Sequence, residues 1–272
     1  MKKLLFFTAL WLIASAAQSQ PGSVDTAIIF SPSNQVNIKA VVIKPANYSD
    51  EKRFPVVYLL HGYGGAYHNW ITKVPALKDY ASKYQFIVVC PNGENSWYIN
   101  SPVKKASNFE TYITEELVGY MDKNYKTIAD KRNRAITGLS MGGHGGLMLG
   151  IRHKDLFGAA GSMSGALDLE PLIAKYDFSQ LIGDTAVTHF NWRSYSVLAI
   201  ADSITTKDLR MIIDCGVKDG FIKDNRKLHE KLLSQNVAHD YIERPGAHNW
   251  AYWGNAVEYQ LLFFRKFFNE AE

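Results

Sequence analysis

Gly138-Leu139-Ser140-Met141-Gly142 sets one glycine two residues before a serine and another two residues after it. That spacing suits nucleophilic chemistry. A serine that attacks a carbonyl must stand clear of the sheet on a strained turn between strand and helix. Its backbone then crowds the positions two before and two after it, where only glycine fits. A helix start just beyond the serine would also aim free N–H groups at a developing oxyanion. Taken alone, the pentapeptide is also compatible with a Gly-rich strand-to-helix turn with no chemistry, so the partners decide.

A serine nucleophile needs a base, and the base needs an acid that holds its tautomer and stabilises the imidazolium. Both should come after the serine, from loops at the carboxyl ends of later strands. The histidines after Ser140 are His144, His153, His189, His229, His239 and His248. His144 and His153 fall on the helix that follows the serine, pointing away from the site or along the helix. His229 falls mid-helix on a solvated face, His239 precedes its strand at the wrong end of the sheet, and His189 precedes every acid candidate. His248, in a Gly-containing loop after the last strand, is the expected base. For the acid, Asp214 is still inside a strand and Asp224 reads as the N-cap of a helix. Asp219, in the turn after Cys215, is the first choice and Asp224 the second; a plain turn-forming role would also explain an aspartate before Gly220.

The second oxyanion donor is expected from His61-Gly62-Tyr63-Gly64-Gly65, a Gly-rich loop directly after a strand, with the Tyr63 backbone as the donor. His61 lies before the nucleophile and reads as a structural loop histidine bonded to backbone. Trp97 and Tyr98, in the loop Pro91–Tyr98, either face substrate or cover the core. No Cys/His cluster has metal-ligand spacing, and no metal or cofactor is expected.

These residues need a frame. Val24–Phe30 and Val36–Ile43 read as strands around the turn Ser31-Pro32-Ser33-Asn34, and Phe54–Leu60 as a continuous apolar strand buried on both faces. The spacing then predicts a helix over Val74–Lys83, a strand over Phe86–Cys90, a helix over Phe109–Tyr125, a strand over Ala135–Leu139 and a helix over Met141–His153. Strands follow over Phe157–Met163, Leu209–Cys215 and His239–Glu243, with helices from about Asn225 to Gln235 and over Val257–Phe268. Alternating strands and helices imply an α/β fold with a mostly parallel, doubly wound sheet and a leading antiparallel hairpin. Residues 165–206 lack this rhythm and read as a cap over the site or as an ordinary helical crossover. Cys90 and Cys215 end strands four steps apart, about 19 Å at the usual strand spacing. A disulfide needs Cα atoms within about 7 Å, so both should be buried and unpaired.

The chain has 272 residues, 47% of them apolar, which suits one large α/β domain over 21–272. Lys2 and Lys3, the apolar run Leu4–Ala14 and Ala14-Ser15-Ala16 form an export-signal pattern over 1–20, with cleavage between Ala16 and Gln20. The run is too short to span a bilayer comfortably, and no cysteine near the cleavage region marks a lipoprotein. The mature chain is therefore expected in the periplasm or outside the cell, with no stable membrane insertion. Removing Lys2 and Lys3 brings the formal charge of +4 down to +2, which does not suggest a nucleic-acid partner. Oligomeric state leaves no mark on the sequence.

Five segments carry a resemblance: Tyr58–Gly65 (YLLHGYGG), Pro91–Tyr98 (PNGENSWY), Gly138–Gly146 (GLSMGGHGG), Asp214–Asp219 (DCGVKD) and Gly246–Trp250 (GAHNW). In that order and over residues 36–270, the chain resembles the esterase D-like family of α/β-hydrolases. That family takes in the feruloyl and acetyl xylan esterases of carbohydrate esterase family 1, S-formylglutathione hydrolases and antigen 85 mycolyltransferases. The resemblance implies an α/β-hydrolase fold, nucleophile Ser140, acid Asp219, base His248 and oxyanion donors Tyr63 and Met141. It also implies a serine carboxylesterase working through an acyl-enzyme. Export points that activity at feruloyl or acetyl esters on plant polysaccharide, with Trp97 and Trp250 stacking on an aromatic acyl group or sugar ring. The alternatives are an acyltransferase or thioesterase of the same family, or a non-catalytic glycan-binding relative. The loop reads Pro91-Asn92-Gly93 where many family members have aspartate after the proline.

Overall fold

The computed structural model describes residues 22–205 and 207–270; the expected leader lies outside them. The sheet begins with two long strands, β1 (Ser23–Ser31) and β2 (Val36–Lys44), paired antiparallel. After them come β3 (Val56–Leu60), helices α1 (Asn69–Lys73) and α2 (Leu77–Tyr84), and β4 (Ile87–Pro91). The next helical segment starts as α3 (Phe109–Thr111), passes through a π-helical stretch (Tyr112–Leu117) and ends as α4 (Val118–Asn124). The central motif is β5 (Arg134–Gly138) leading into α5 (Met141–Arg152), then β6 (Ala159–Met163). Short helices α6 (Phe178–Ile182), α7 (Thr185–Thr188) and α8 (Val197–Ile200) fill the next stretch. The chain closes with β7 (Arg210–Gly216), α9 (Ile222–Ser234), β8 (Asp240–Arg244) and α10 (Trp250–Asn269).

The eight strands order as β1-β2-β4-β3-β5-β6-β7-β8. Only the β1–β2 and β2–β4 pairs are antiparallel; every later pair is parallel. The mixed, mostly parallel sheet is the one expected. All five residues of β3 are buried, and their alternation splits the core. Val56, Tyr58 and Leu60 face the layer containing α5 and α9, whereas Val57 and Leu59 face α1, α2 and α10. Cys90 and Cys215 are buried and free, on β4 and β7, four strands apart.

Three helical boundaries differ from expectation. The helix expected over Val74–Lys83 starts only at Leu77, and a separate short helix, α1, ends before it at Lys73; Pro75 between them offers no N–H to join the two. The closing helix starts at Trp250, where the Asn249 side chain accepts the Tyr252 N–H at 3.1 Å. Asp224 is not the N-cap of α9, which starts at Ile222. Asp219 turns the chain sooner by accepting the Phe221 N–H on Oδ1 at 2.9 Å, and Asp224 pairs with Lys227 instead.

Candidate active site

Ser140 is strained. Its φ of 55° and ψ of −117° put a non-glycine residue in the left-handed half of the map. The turn is held by Ser140 N–H to the Met163 carbonyl at 2.9 Å and His144 N–H to the Ser140 carbonyl at 2.9 Å. The flanking glycines answer to close backbone. A Cβ on Gly138 would sit 2.6 Å from the carbonyl oxygens of Gly142 and Leu60, and one on Gly142 would sit 2.6 Å from those of Leu60 and His61. Gly142→Ala should therefore push β5 and α5 off β3 and cost about 3 kcal/mol or more of stability. Urea denaturation measures it, and a loss under about 0.5 kcal/mol, the scatter of a neutral site, would contradict this packing.

Ser140, His248 and Asp219 stand in one hydrogen-bonded line. His248 Nε2 is 2.9 Å from Ser140 Oγ, and His248 Nδ1 lies 2.9 and 3.1 Å from the Asp219 carboxylate oxygens. Nδ1 faces only acceptors, so it carries the proton, and Nε2 is free to accept from the serine hydroxyl. The loops carrying acid and base are joined by Val217 N–H to the Arg244 carbonyl and Lys218 N–H to the Gly246 carbonyl. The imidazole is fixed edge-on between Phe221 and Trp253, at ring distances of 5.3 and 4.8 Å. Asp219 is buried. Burial alone would raise its pKa, but hydrogen bonds from His248 and the Phe221 N–H outweigh that and hold it below the usual carboxylate range.

Of the two residues expected to supply oxyanion donors, Met141 follows Ser140 directly and Tyr63 lines the same cavity as Ser140. Met141 opens α5, where an N–H has no acceptor within the helix. In the loop that carries Tyr63, the Gly64 N–H is taken by Asn95 Oδ1 at 2.7 Å and the Gly65 N–H by the Gly62 carbonyl at 3.0 Å, so neither is the oxyanion donor. His61 braces the same loop. Its Nδ1 donates to the Gly62 carbonyl at 2.8 Å, its Nε2 accepts the Gly93 N–H at 2.8 Å, and burial pushes its pKa down to about 4. Four of the other histidines have partners outside the site: His144 the Tyr195 carbonyl, His153 Glu110, and His229 and His239 each other. His229, expected on a solvated face, is half-buried and stacks on Tyr241 at 4.0 Å. Asp214 faces into the sheet layer, bound by Arg244 and Tyr252.

Ser140 and His248 open into a cavity of about 420 Å³. Both tryptophans named from sequence line it, Trp97 nearly buried against Phe178 and Tyr176, and Trp250 edge-on to Trp70 at 5.2 Å. Tyr98 covers the core instead, its hydroxyl donating to the His61 carbonyl. The sequence reading missed Tyr176, Phe221 and Trp253, which complete the aromatic wall. Trp253 had a signal, since it follows Trp250 by one helical turn. Of residues 165–206, Tyr176 reaches the cavity, steadied by the hydrogen bond from Tyr63 Oη to Asp177 at 2.6 Å. Among the described residues, no group of three or more histidine, cysteine or acidic side chains could hold a metal ion, and no helix is long and apolar enough to cross a membrane.

A family model described as a putative esterase matches residues 31–264. The chain is 24% identical over 220 residues to an acetyl esterase of Caldicellulosiruptor saccharolyticus, covering 76% of this chain and 82% of that one. It is 32% identical over 176 residues to an endo-1,4-beta-xylanase/feruloyl esterase of Xylanibacter ruminicola, covering 58% of this chain but only 24% of that longer protein. A solved ferulic acid esterase superposes with a TM-score of 0.78 at 26% identity, covering 91% of this chain and all of that one.

Proposed function

The chain belongs to the putative esterase family and is a serine hydrolase acting on carboxylic ester bonds, and from that premise we propose that it is an exported feruloyl-type carboxylesterase acting on acylated plant polysaccharide. The observation that carries this reading is the Ser140–His248–Asp219 line at the floor of an aromatic-walled cavity. In the proposed mechanism Ser140 Oγ attacks the ester carbonyl as its proton passes to His248 Nε2. Asp219 stabilises the resulting imidazolium, and the Tyr63 and Met141 N–H groups bind the oxyanion. His248 then returns the proton to the leaving alcohol. Water, activated by the same imidazole, releases the acid from the acyl-enzyme.

Trp97, Tyr176 and Trp250 give the cavity beside the nucleophile an aromatic lining, which suits an aromatic acid better than an acetyl group. The solved ferulic acid esterase and the xylanase/feruloyl esterase support that choice, and the N-terminal leader pattern supports export. A second reading, deacetylation of a glycan, is favoured by the acetyl esterase relative.

Methyl ferulate and 4-nitrophenyl acetate, assayed side by side, separate the two. Efficient ferulate turnover is expected. Trp250→Ala should raise KM for methyl ferulate about tenfold, the loss of roughly 1.4 kcal/mol of ring contact, with a smaller change for the acetate. Turnover of acetate alone would overturn the feruloyl reading.

A further inference from the structure

A second cavity, of about 260 Å³, lies beside the first; part of its lining comes from two segments that also reach the first, and the rest from Lys104, Ala106 and Ser107. Glu94, Asn95 and Ser96 line the second cavity, and the next residue, Trp97, lines the first. Leu181 of α6 lines the second; Tyr176, just ahead of α6, lines the first, and Phe178 of α6 packs against Trp97. The two cavities therefore share a wall. Asn95 ties that wall to the candidate oxyanion loop through its bond to the Gly64 N–H.

The linings differ in chemistry. The first cavity is aromatic. The second presents Glu94, Asn95, Ser96, Lys104 and Ser107, with Ala106 and Leu181 as its apolar members. Glu94 and Lys104 bear opposite charges, yet neither is ion-paired with the other, nor is either among the ion pairs of the described residues. Asn95 spends its carbonyl oxygen on Gly64, which leaves its amide N–H groups to point elsewhere. A carboxylate acceptor, an ammonium donor and an amide donor around one small space match a molecule with alternating hydroxyl donors and acceptors. The volume is below the roughly 300–1,000 Å³ of sites for larger ligands, so it suits a single ring.

We propose that this cavity is a carbohydrate subsite that binds a sugar residue of the glycan alcohol while the acyl group occupies the aromatic cavity. The inference rests on the ester-hydrolase reading above and adds to it the residues that recognise the alcohol side. Glu94 accepts from sugar hydroxyls, and Lys104 and Asn95 donate to them. Binding there contributes equally to ground and transition states, so it acts on KM and not on kcat.

The test is the double variant Glu94→Ala/Lys104→Ala, both exposed side chains, assayed on a feruloylated xylo-oligosaccharide and on methyl ferulate. The expected result is a KM about tenfold higher for the oligosaccharide ester, with kcat kept and methyl ferulate kinetics unchanged. A second readout uses Ser140→Ala and titrates unesterified xylo-oligosaccharide against tryptophan fluorescence, since Trp97 adjoins the loop. Saturable quenching that the added Glu94→Ala/Lys104→Ala pair weakens about tenfold supports the subsite. An equal effect on both esters, no effect on either, or absence of that quenching overturns it. If the wild-type protein turns over neither ester, the feruloyl-esterase reading itself fails, and that outcome is distinct from failure of the subsite.

Discussion

Ser140→Ala should lower kcat for any ester substrate by about 10⁵-fold or more, with the fold intact. The expectation follows from local geometry. Ser140 Oγ is the group within 2.9 Å of His248 Nε2, so alanine leaves the base with nothing to deprotonate. The residual rate would come from the Tyr63 and Met141 donors acting on an attacking water, worth about 10³–10⁴ over solution. Stability should rise slightly or stay level, because the strain at φ 55° remains and no buried bond is lost. Far-UV circular dichroism and urea denaturation check the fold, and burst kinetics with a 4-nitrophenyl ester check the acyl-enzyme. A fluorophosphonate should label the wild-type protein once per chain and leave Ser140→Ala unlabelled. Turnover within tenfold of wild type in that variant would end the serine mechanism and reopen the non-catalytic glycan-binding alternative.

The features legible in the sequence were those that local physics forces. The Gly138–Gly142 spacing is visible because two carbonyl oxygens stand 2.6 Å from where a side chain would begin, a constraint that leaves no other residue type. The β3 run is visible because a strand buried on both faces must be apolar throughout. The placement of Asp219 was harder. Its side chain accepts both the Phe221 N–H and His248 Nδ1, so the turn-forming role and the candidate catalytic role belong to one carboxylate, and sequence spacing offers them as alternatives. What stayed hidden depends on distant partners. Asn95 meets Gly64 across 31 residues, and Tyr63 meets Asp177 across 114; no period or motif encodes such pairs. The late start of α2 at Leu77 did have a signal in Pro75, but the apolar period reads through a proline more easily than the backbone does. A last helix read from Val257 leaves Trp253 outside it, so the helical face that Trp253 shares with Trp250 shows only in the structure.

Asp219→Asn should cost about 10⁴-fold in kcat while leaving Ser140 in place. Asparagine has the shape of aspartate, but its amide can turn its NH₂ toward His248 Nδ1. That nitrogen then becomes the acceptor, the ring proton moves to Nε2, and the nitrogen facing Ser140 Oγ no longer takes a proton. With asparagine neutral, the imidazolium formed during attack also loses its buried counter-charge. Residual activity should therefore climb with pH, as hydroxide replaces the missing base. Stability should respond in the opposite range. The Asp219 carboxylate sits below its ordinary value of 3.8, because hydrogen bonds from His248 and the Phe221 N–H outweigh the upward push of burial. A depressed carboxylate stabilises the folded state fully above that ordinary value and loses its contribution as pH falls through the lower folded-state value. Urea midpoints of the wild-type protein should thus fall more steeply below pH 4 than those of Asp219→Asn. Asp224→Asn is the control, since Asp224 is occupied by Lys227 at 2.9 Å and its loss should leave kcat within twofold. If instead Asp224→Asn were the variant that lost the rate, the acid would have been assigned to the wrong end of the turn.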